Sequence, residues 1–191
     1  MRRARFDEDK ALASILHVAH QLKEKSAEKK ADLYKALKII YFADRMHLAR
    51  YCRSISGDHY VAMNNGPVPS KTYDMLKFVR GDGYYISGQE FVDRIKTQIS
   101  FSDHITISPK EKPDLSELSE SDLECINESI GRYKNYSFIE LKNESHDKAF
   151  QSSDKDDCME FERIAEAGGA DDEKIGFVRN WIENDNFFVR Q

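Results

Sequence analysis

The longest regular pattern of apolar residues in the chain runs from Leu33 to Tyr51. One stripe has the three-, four- and seven-residue steps of a single helix face and consists of Leu33, Leu37, Ile40, Tyr41 and Leu48. A second stripe beside it consists of Ala36, Ile39, Ala43 and Met46. A surface helix has one apolar stripe, whereas a helix that is apolar on most sides is buried. The pattern therefore predicts a buried central helix with the other elements packed around it.

Weaker patterns predict the elements that cover this helix. Residues 11–22 and 123–133 each carry one apolar stripe, and the first of them predicts a surface helix with one buried face. Alternating apolar residues predict a β-hairpin that contains Ile99, Phe101, Ile105 and Ile107. We also expect a strand-forming region at Tyr84–Ile86 and a short helix that turns Phe138 and Leu141 inward. The predicted fold class is mainly α (α+β): a compact helical domain around a buried central helix, with a small antiparallel β-hairpin or sheet on one side.

The segment Gly66-Pro67-Val68-Pro69 restricts its own backbone almost residue by residue. Pro67 and Pro69 have fixed φ angles and no amide hydrogen, and the residue before each proline is driven away from helical angles. Ser70 follows at the position of a helix N-cap. We therefore expect a stiff extended segment that leads into a short helix at residues 70–79, with Tyr73 on its buried side.

Asp44 lies on the same buried stripe as Tyr41, where an unpaired carboxylate would be costly. Two interpretations are open. The central helix could curve outward, so that Asp44 meets water. Alternatively, Asp44 could accept hydrogen bonds from the loop at residues 66–69 or from a tyrosine hydroxyl.

Two stretches, YKALKIIYFADRMHLARY and GDHYVAMNNGPVPSKTYDML, resemble the Panacea domain of the SocA-like antitoxin family. The positions that match the family's pattern are Leu37, Tyr41, Phe42, Tyr60, Ala62, Met63, Gly66, Pro67, Val68, Pro69, Ser70 and Tyr73. The later stretches LSESDLECI and SFIELKNESHDKAF are also similar, so the resemblance covers residues 31–150. It implies a small, mainly helical antitoxin that binds and neutralises a protein toxin and that, in some relatives, delivers the toxin to a protease.

The resemblance also implies a role for Ser145-His146, because a Ser-His pair is characteristic of the family at this point. A tryptophan commonly follows in the family near Phe150, where this chain keeps an aromatic residue. We interpret His146 as a buried histidine that holds a helix end, with a general base as the alternative. The residues expected to serve a structural motif are Tyr41, Asp44, Gly66, Pro67, Pro69, Ser70, Tyr73 and His146.

The end of the resemblance suggests a division of the chain into a Panacea-like antitoxin domain at 1–150 and a C-terminal part at 151–191. The C-terminal part begins with an acidic linker and continues with a short helix at Met159–Ala167. A last helix follows, with an apolar stripe of Ile175, Val178, Trp181 and Ile182. This helix could pack on its own core, pair with a second copy in a homodimer, or bind a partner's groove.

Charge and cysteine content exclude several classes of protein. The 191 residues carry a net charge of −5, which lacks the basic footprint of nucleic-acid-binding proteins, so we do not expect nucleic acid as a partner. The three cysteines form no C-x-x-C pair, and His17 and His20 have no identifiable third ligand, so we expect no metal and no cofactor. No apolar run approaches the ~20 residues of a membrane span. Without a secretory signal either, we expect a cytoplasmic protein that does not enter membranes.

These features favour a binding protein over an enzyme. Interface affinity concentrates in a few aromatic and arginine side chains, so the candidates for toxin binding are Tyr51, Tyr60, Tyr84, Tyr85, Trp181, Phe187 and Phe188. The alternatives are a proteolysis adaptor that also contacts a protease unfoldase, and a DNA-binding autoregulator. A cleft lined by Asp58, His59, Tyr60 and Asn64 could act on a substrate, but no activated nucleophile accompanies these residues.

Overall fold

The computed structural model describes residues 4–188, with side chains up to residue 184. The helices are α1 (Glu8–Lys25), α2 (Leu33–Tyr51), α3 (Ser70–Arg80), α4 (Gln89–Gln98), α5 (Glu120–Tyr133), α6 (Phe138–Ser145), α7 (Lys148–Gln151), α8 (Phe161–Ala167) and α9 (Asp172–Phe188). The strands are β1 (Tyr60–Met63), β2 (Gly66–Pro69), β3 (Ile99–Asp103) and β4 (Thr106–Pro109). Helices make up 59% of the chain and the strands form two antiparallel pairs, which confirms the predicted mainly α class with a small β part.

Helix α2 is the central helix that the double stripe predicts. It packs against α1, α5, α6, α8, α9 and β2. All residues of both stripes are buried except Met46, which is half-buried, and Phe42, which belongs to neither stripe, is buried as well. Each large apolar side chain buried in this way contributes about 1.5–3 kcal/mol, so the position of α2 is strongly determined. Asp32 caps the start of the helix, and its carboxylate accepts a hydrogen bond from the Lys35 amide at 2.9 Å.

Helix α1 is buried more completely than its single stripe predicts. Every residue from Ala11 to Ala19 is buried, because α1 contacts α2, α3, α5 and β4 on different sides. The small side chains of Ala13 and Ser14 fill the positions outside the stripe and allow these close approaches. The prediction of one buried face is therefore wrong for α1.

The predicted hairpin at residues 99–107 is confirmed as the pair β3–β4, in the register Ile99↔Pro109 and Phe101↔Ile107. The Asp103 carboxylate closes its turn by accepting a hydrogen bond from the Ile105 amide at 2.9 Å. The same turn is bonded to the start of α2, since the Leu33 amide donates to the Ile105 carbonyl at 2.8 Å.

Two local predictions are wrong. Residues 84–86 form no strand, because no other strand lies beside them, and Tyr84 and Ile86 are exposed while Tyr85 turns inward. The next element is α4, a short helix that the sequence analysis missed. Phe138 is also not turned inward: it is 49% exposed and its ring lies 4.5 Å from the ring of Tyr34 on the surface.

Capping boxes start both α5 and α6, as the Ser-x-x-acid patterns at 119–122 and 137–140 predict. Helices α8 and α9 pack on α2, and Val178 and Ile182 of the predicted apolar stripe are buried. Among the helices of residues 4–188, none combines the length and apolar character that crossing a bilayer requires.

Candidate functional site

The Gly-Pro-Val-Pro segment is a β-strand. Strand β2 pairs antiparallel with β1 in the register Tyr60↔Pro69, Val61↔Val68, Ala62↔Pro67 and Met63↔Gly66. The expected extended conformation is confirmed, and its pairing with β1 is new. The resulting hairpin leads directly into α3 and lies against α2 and α6.

The two prolines occupy the positions of β2 that face away from β1. On the outer side of the hairpin, the backbone groups of Ala62 bond those of Asp156 and Asp157, and the Tyr60 carbonyl accepts from the Met159 amide. Residues opposite each other in an antiparallel pair point their backbone groups in matching directions, so Pro67 and Pro69 also point away. Neither proline has an N–H, so the outer edge of β2 leaves no unpaired donor at these positions and can be buried.

Gly66 allows β2 to lie close to α2 and α6. Its φ angle is +95°, and a Cβ atom there would lie 2.6 Å from Ser145 Oγ and 2.8 Å from Lys38 Nζ. Lys38 is only 1% exposed, and its ammonium group donates a hydrogen bond to the Pro67 carbonyl at 2.6 Å. This bond satisfies a carbonyl on the free edge of β2 and joins the hairpin to the central helix.

Burial lowers the pKa of Lys38 to about 7, against the attraction of Asp147, which raises it. Sequence reasoning missed this residue. The available signal was a lysine in the middle of a helix that is apolar on most sides, where a charged side chain requires a specific partner.

His146 lies at the C-terminal end of α6 and is half-buried. Its ring stacks on Phe150 at 4.1 Å, so the phenylalanine keeps the expected aromatic contact. Burial lowers the pKa of His146, and its Nε2 atom has no hydrogen-bond partner among the described residues. The neighbouring Ser145 hydroxyl donates instead to the Lys142 carbonyl at 3.1 Å, so it is not paired with His146 as a nucleophile would be with its base.

Asp44 is buried and bonded, which decides between its two interpretations. Its carboxylate accepts hydrogen bonds from the Tyr60 hydroxyl at 3.0 Å, the Ser54 hydroxyl at 2.8 Å and the Ile55 amide at 2.7 Å. Burial raises the pKa of Asp44, although these hydrogen bonds act in the opposite direction. The expected hydrogen bonding of Asp44 is therefore confirmed, with a tyrosine hydroxyl as one donor, and the interpretation in which Asp44 meets water is wrong.

Ser70 does not cap α3. Pro69 holds the N-cap position and Ser70 is the first helical residue, without a capping hydrogen bond. Asp58, which precedes β1 in the chain, caps the helix instead, because the hairpin places it next to the start of α3. Its carboxylate accepts hydrogen bonds from the Lys71 amide at 2.9 Å and the Thr72 amide at 2.8 Å. Burial raises the pKa of Asp58 to about 6.

Tyr41 ties α2 to the start of α7. Its hydroxyl donates to Asp147 at 2.8 Å, and Arg45 donates to the same carboxylate at 2.7 Å. Asp147 also caps α7 by accepting from the Phe150 amide. The ring of Tyr41 lies 5.2 Å from that of Tyr60, so the helix, the hairpin and the following turn share one buried cluster.

A cleft of about 380 Å³ opens at the β1–β2 turn. It lies between the start of α2, the β1–β2 turn, α3 and the β3–β4 turn. Its apolar lining residues are Leu33, Tyr34, Leu37, Met63, Val68, Tyr73 and Ile105. Tyr73 of the predicted motif is therefore half-buried in the cleft wall, between core and solvent.

The described aromatic residues that were predicted to bind a toxin differ in their exposure. Tyr60 is fully buried, so its assignment as a partner-binding residue is wrong. Tyr51 and Tyr84 are exposed; Tyr85 and Trp181 are half-buried against the core. The side chains of Phe187 and Phe188 lie outside the described residues. For Tyr51, Tyr84, Tyr85 and Trp181, toxin binding stays a prediction.

Comparison with protein families gives a match over more than half of the chain. The family described as antitoxin SocA-like, Panacea domain, matches residues 37–151. Neither curated proteins nor solved structures give a significant match. The matched residues include β1, β2, the Lys38 contact and helices α3 to α7. Because they make up more than half of its residues, the chain belongs to the SocA-like Panacea-domain antitoxin family.

Proposed function

We propose that this protein is an antitoxin that neutralises a protein toxin by binding it directly. The observation that carries the proposal is the family match across residues 37–151, since membership of an antitoxin family suggests an antitoxin role. The partner is then a protein, and the function depends on a surface that recognises it.

The architecture supports binding through a preformed surface. The hairpin β1–β2 is fixed from inside by Lys38, Asp44 and Asp58, each of which bonds a group from another element. A surface that is already ordered loses little conformational entropy on binding, so more of the contact energy appears as affinity.

Co-expression tests the proposal. The protein encoded next to this chain's gene is expressed from an inducible promoter, with and without this chain, and growth and toxin level are measured together. We expect growth to recover while the amount of toxin stays constant, and the two purified proteins to form a stable complex. Recovery accompanied by loss of toxin would support the proteolysis adaptor instead. Failure to restore growth would contradict the antitoxin function.

A further inference from the structure

We propose that the cleft beside the β1–β2 turn holds a segment of the toxin that presents an apolar anchor next to a lysine or arginine. This inference rests on the proposed function and adds to it a surface and the chemistry of the partner. It draws on three features of the cleft: its apolar side chains, its charge and its fixed walls.

Part of the exposed apolar surface of the described chain lies at this cleft. Nine large apolar side chains are exposed in the described part of the chain, and three of them line the cleft or contact a residue that does. Met63 and Ile105 line the cleft, and the ring of Phe138 lies 4.5 Å from the ring of the cleft residue Tyr34. An exposed apolar patch of this kind marks a binding surface. The volume of about 380 Å³ also falls in the range of pockets that hold a ligand or an anchoring side chain.

The charge available in the cleft is negative. Among the described residues that line it, the one cation is Arg80, which is already bound, with Nε 2.5 Å from the Asp82 carboxylate and a hydrogen bond to the His104 carbonyl. Asp156 lines the cleft and is exposed, and its only ion pair in the described structure is a loose contact of 3.9 Å with exposed Lys155. Exposed pairs of this kind contribute little, so Asp156 can exchange Lys155 for a basic side chain of the partner.

The cleft walls are fixed before any partner arrives. The Tyr34 hydroxyl donates to the Asn65 carbonyl at 2.9 Å and Lys142 donates to the Asn65 side chain at 3.2 Å, which holds the β1–β2 turn. On the opposite wall, the Ile105 carbonyl accepts from the Leu33 amide. A segment can therefore insert its anchor between two turns that do not have to move.

Three variants test the assignment: Ile105→Glu places a carboxylate in the apolar cleft, Asp156→Lys reverses its charge, and Phe177→Glu is the control. Phe177 on α9 is 53% exposed and Ile105 is 50% exposed, so the two glutamate variants remove similar apolar surface and add the same charge. The probe is the purified toxin from the adjacent gene, with Kd measured by calorimetry at 50 mM and 500 mM salt. Thermal unfolding of each variant checks that it folds.

We expect Ile105→Glu to raise Kd at least tenfold at both salt concentrations. Asp156→Lys should raise Kd several-fold at 50 mM salt and less at 500 mM, because screening weakens exposed charge pairs. Phe177→Glu should change Kd less than twofold. If the wild type neutralises the toxin but Ile105→Glu binds within twofold of it, the cleft assignment is overturned and the antitoxin function stands. If the wild type neither binds nor neutralises, the proposed function itself fails. A dimer of this protein that Ile105→Glu dissociates would assign the cleft to a second copy instead.

Discussion

Replacing Gly66 with alanine tests the close contact between β2 and the helices that hold it. The added Cβ atom would lie 2.6 Å from Ser145 Oγ, 2.8 Å from Lys38 Nζ and 3.1 Å from His146 Cδ2. Real Cβ atoms do not approach other heavy atoms to such short distances, so the hairpin, α2 or α6 has to shift. The φ angle of +95° is an additional cost for any residue with a side chain.

Two terms set the size of the effect. An alanine in the left-handed region costs about 1–2 kcal/mol. Overpacking a close contact costs typically 1–3 kcal/mol, so we expect Gly66→Ala to lower the free energy of unfolding by about 2–5 kcal/mol. A loss of this size is a large fraction of the roughly 5–15 kcal/mol that stabilises a protein domain.

Gly169 provides a matched control. Its φ angle is +96°, close to that of Gly66, but a Cβ atom there would meet nothing within 4 Å. Gly169→Ala therefore carries the backbone term and the change in unfolded-state entropy without the steric term. The difference between the two variants measures the contact alone, and we expect about 1–3 kcal/mol.

Urea unfolding followed by far-UV circular dichroism measures both variants, with the slope of the transition used to confirm that the same surface is exposed. The double variant Gly66→Ala/Ser145→Ala lacks the nearest clashing atom and should lose less stability than the sum of the single variants. Equal losses of unfolding free energy for Gly66→Ala and Gly169→Ala would show that an added Cβ atom at residue 66 meets no steric cost, and would refute the close contact between β2 and α6 as the reason for a glycine there.

Three further predictions concern the buried polar groups. Lys38 loses its proton near pH 7 in the folded state but near 10.4 when unfolded. Between these two values the unfolded state binds more protons, so the free energy of unfolding rises with pH, by about 2–3 kcal/mol between pH 7 and 9. Lys38→Met should remove this rise from the pH dependence of urea unfolding. Asp58→Ala should lower the free energy of unfolding by about 1–2 kcal/mol, whereas Ser70→Ala should change it by less than about 0.5 kcal/mol, and the reverse order would restore Ser70 as the cap. Tyr60→Phe leaves the buried carboxylate of Asp44 one donor short and should cost about 1–3 kcal/mol; a thermal melt unchanged from wild type would contradict that bond.

The sequence predicts those elements whose pattern of buried and exposed residues is visible in their own stretch of sequence. The double stripe of α2, the alternation in β3–β4 and the capping boxes of α5 and α6 are all local patterns. Each of them is found in the structure at nearly the predicted place. Helix α4 was missed because its only buried residues, Phe91 and Ile95, make too short a stripe among charged neighbours.

The polar contacts of the site could not be predicted because they join distant parts of the chain. Asp58 caps α3 only after the β1–β2 hairpin has closed, and before that Ser70 is the nearer and more plausible cap. Lys38 is tolerated inside the protein because a carbonyl 29 residues away is turned toward it by a strand whose prolines prevent other pairing. Such hydrogen bonds form only in the tertiary structure, so local sequence propensities cannot predict them.

The family pattern overlaps the proposed partner surface only in part. Most of the matching residues are buried. Those that join the hairpin to the central helix are all buried, namely Tyr41, Tyr60, Gly66, Pro67 and Pro69. The pattern thus specifies the scaffold and part of the cleft wall, because Leu37, Met63, Val68 and Tyr73 are matching positions that also line the cleft. On the proposed assignment, discrimination between toxins falls to cleft residues such as Ile105 and Asp156, which lie outside the matching positions and can vary without loss of the fold. Exchanging these side chains should therefore change which toxin is bound while the unfolding free energy stays near that of the wild type, because solvent-exposed substitutions shift stability by only about 0.5 kcal/mol.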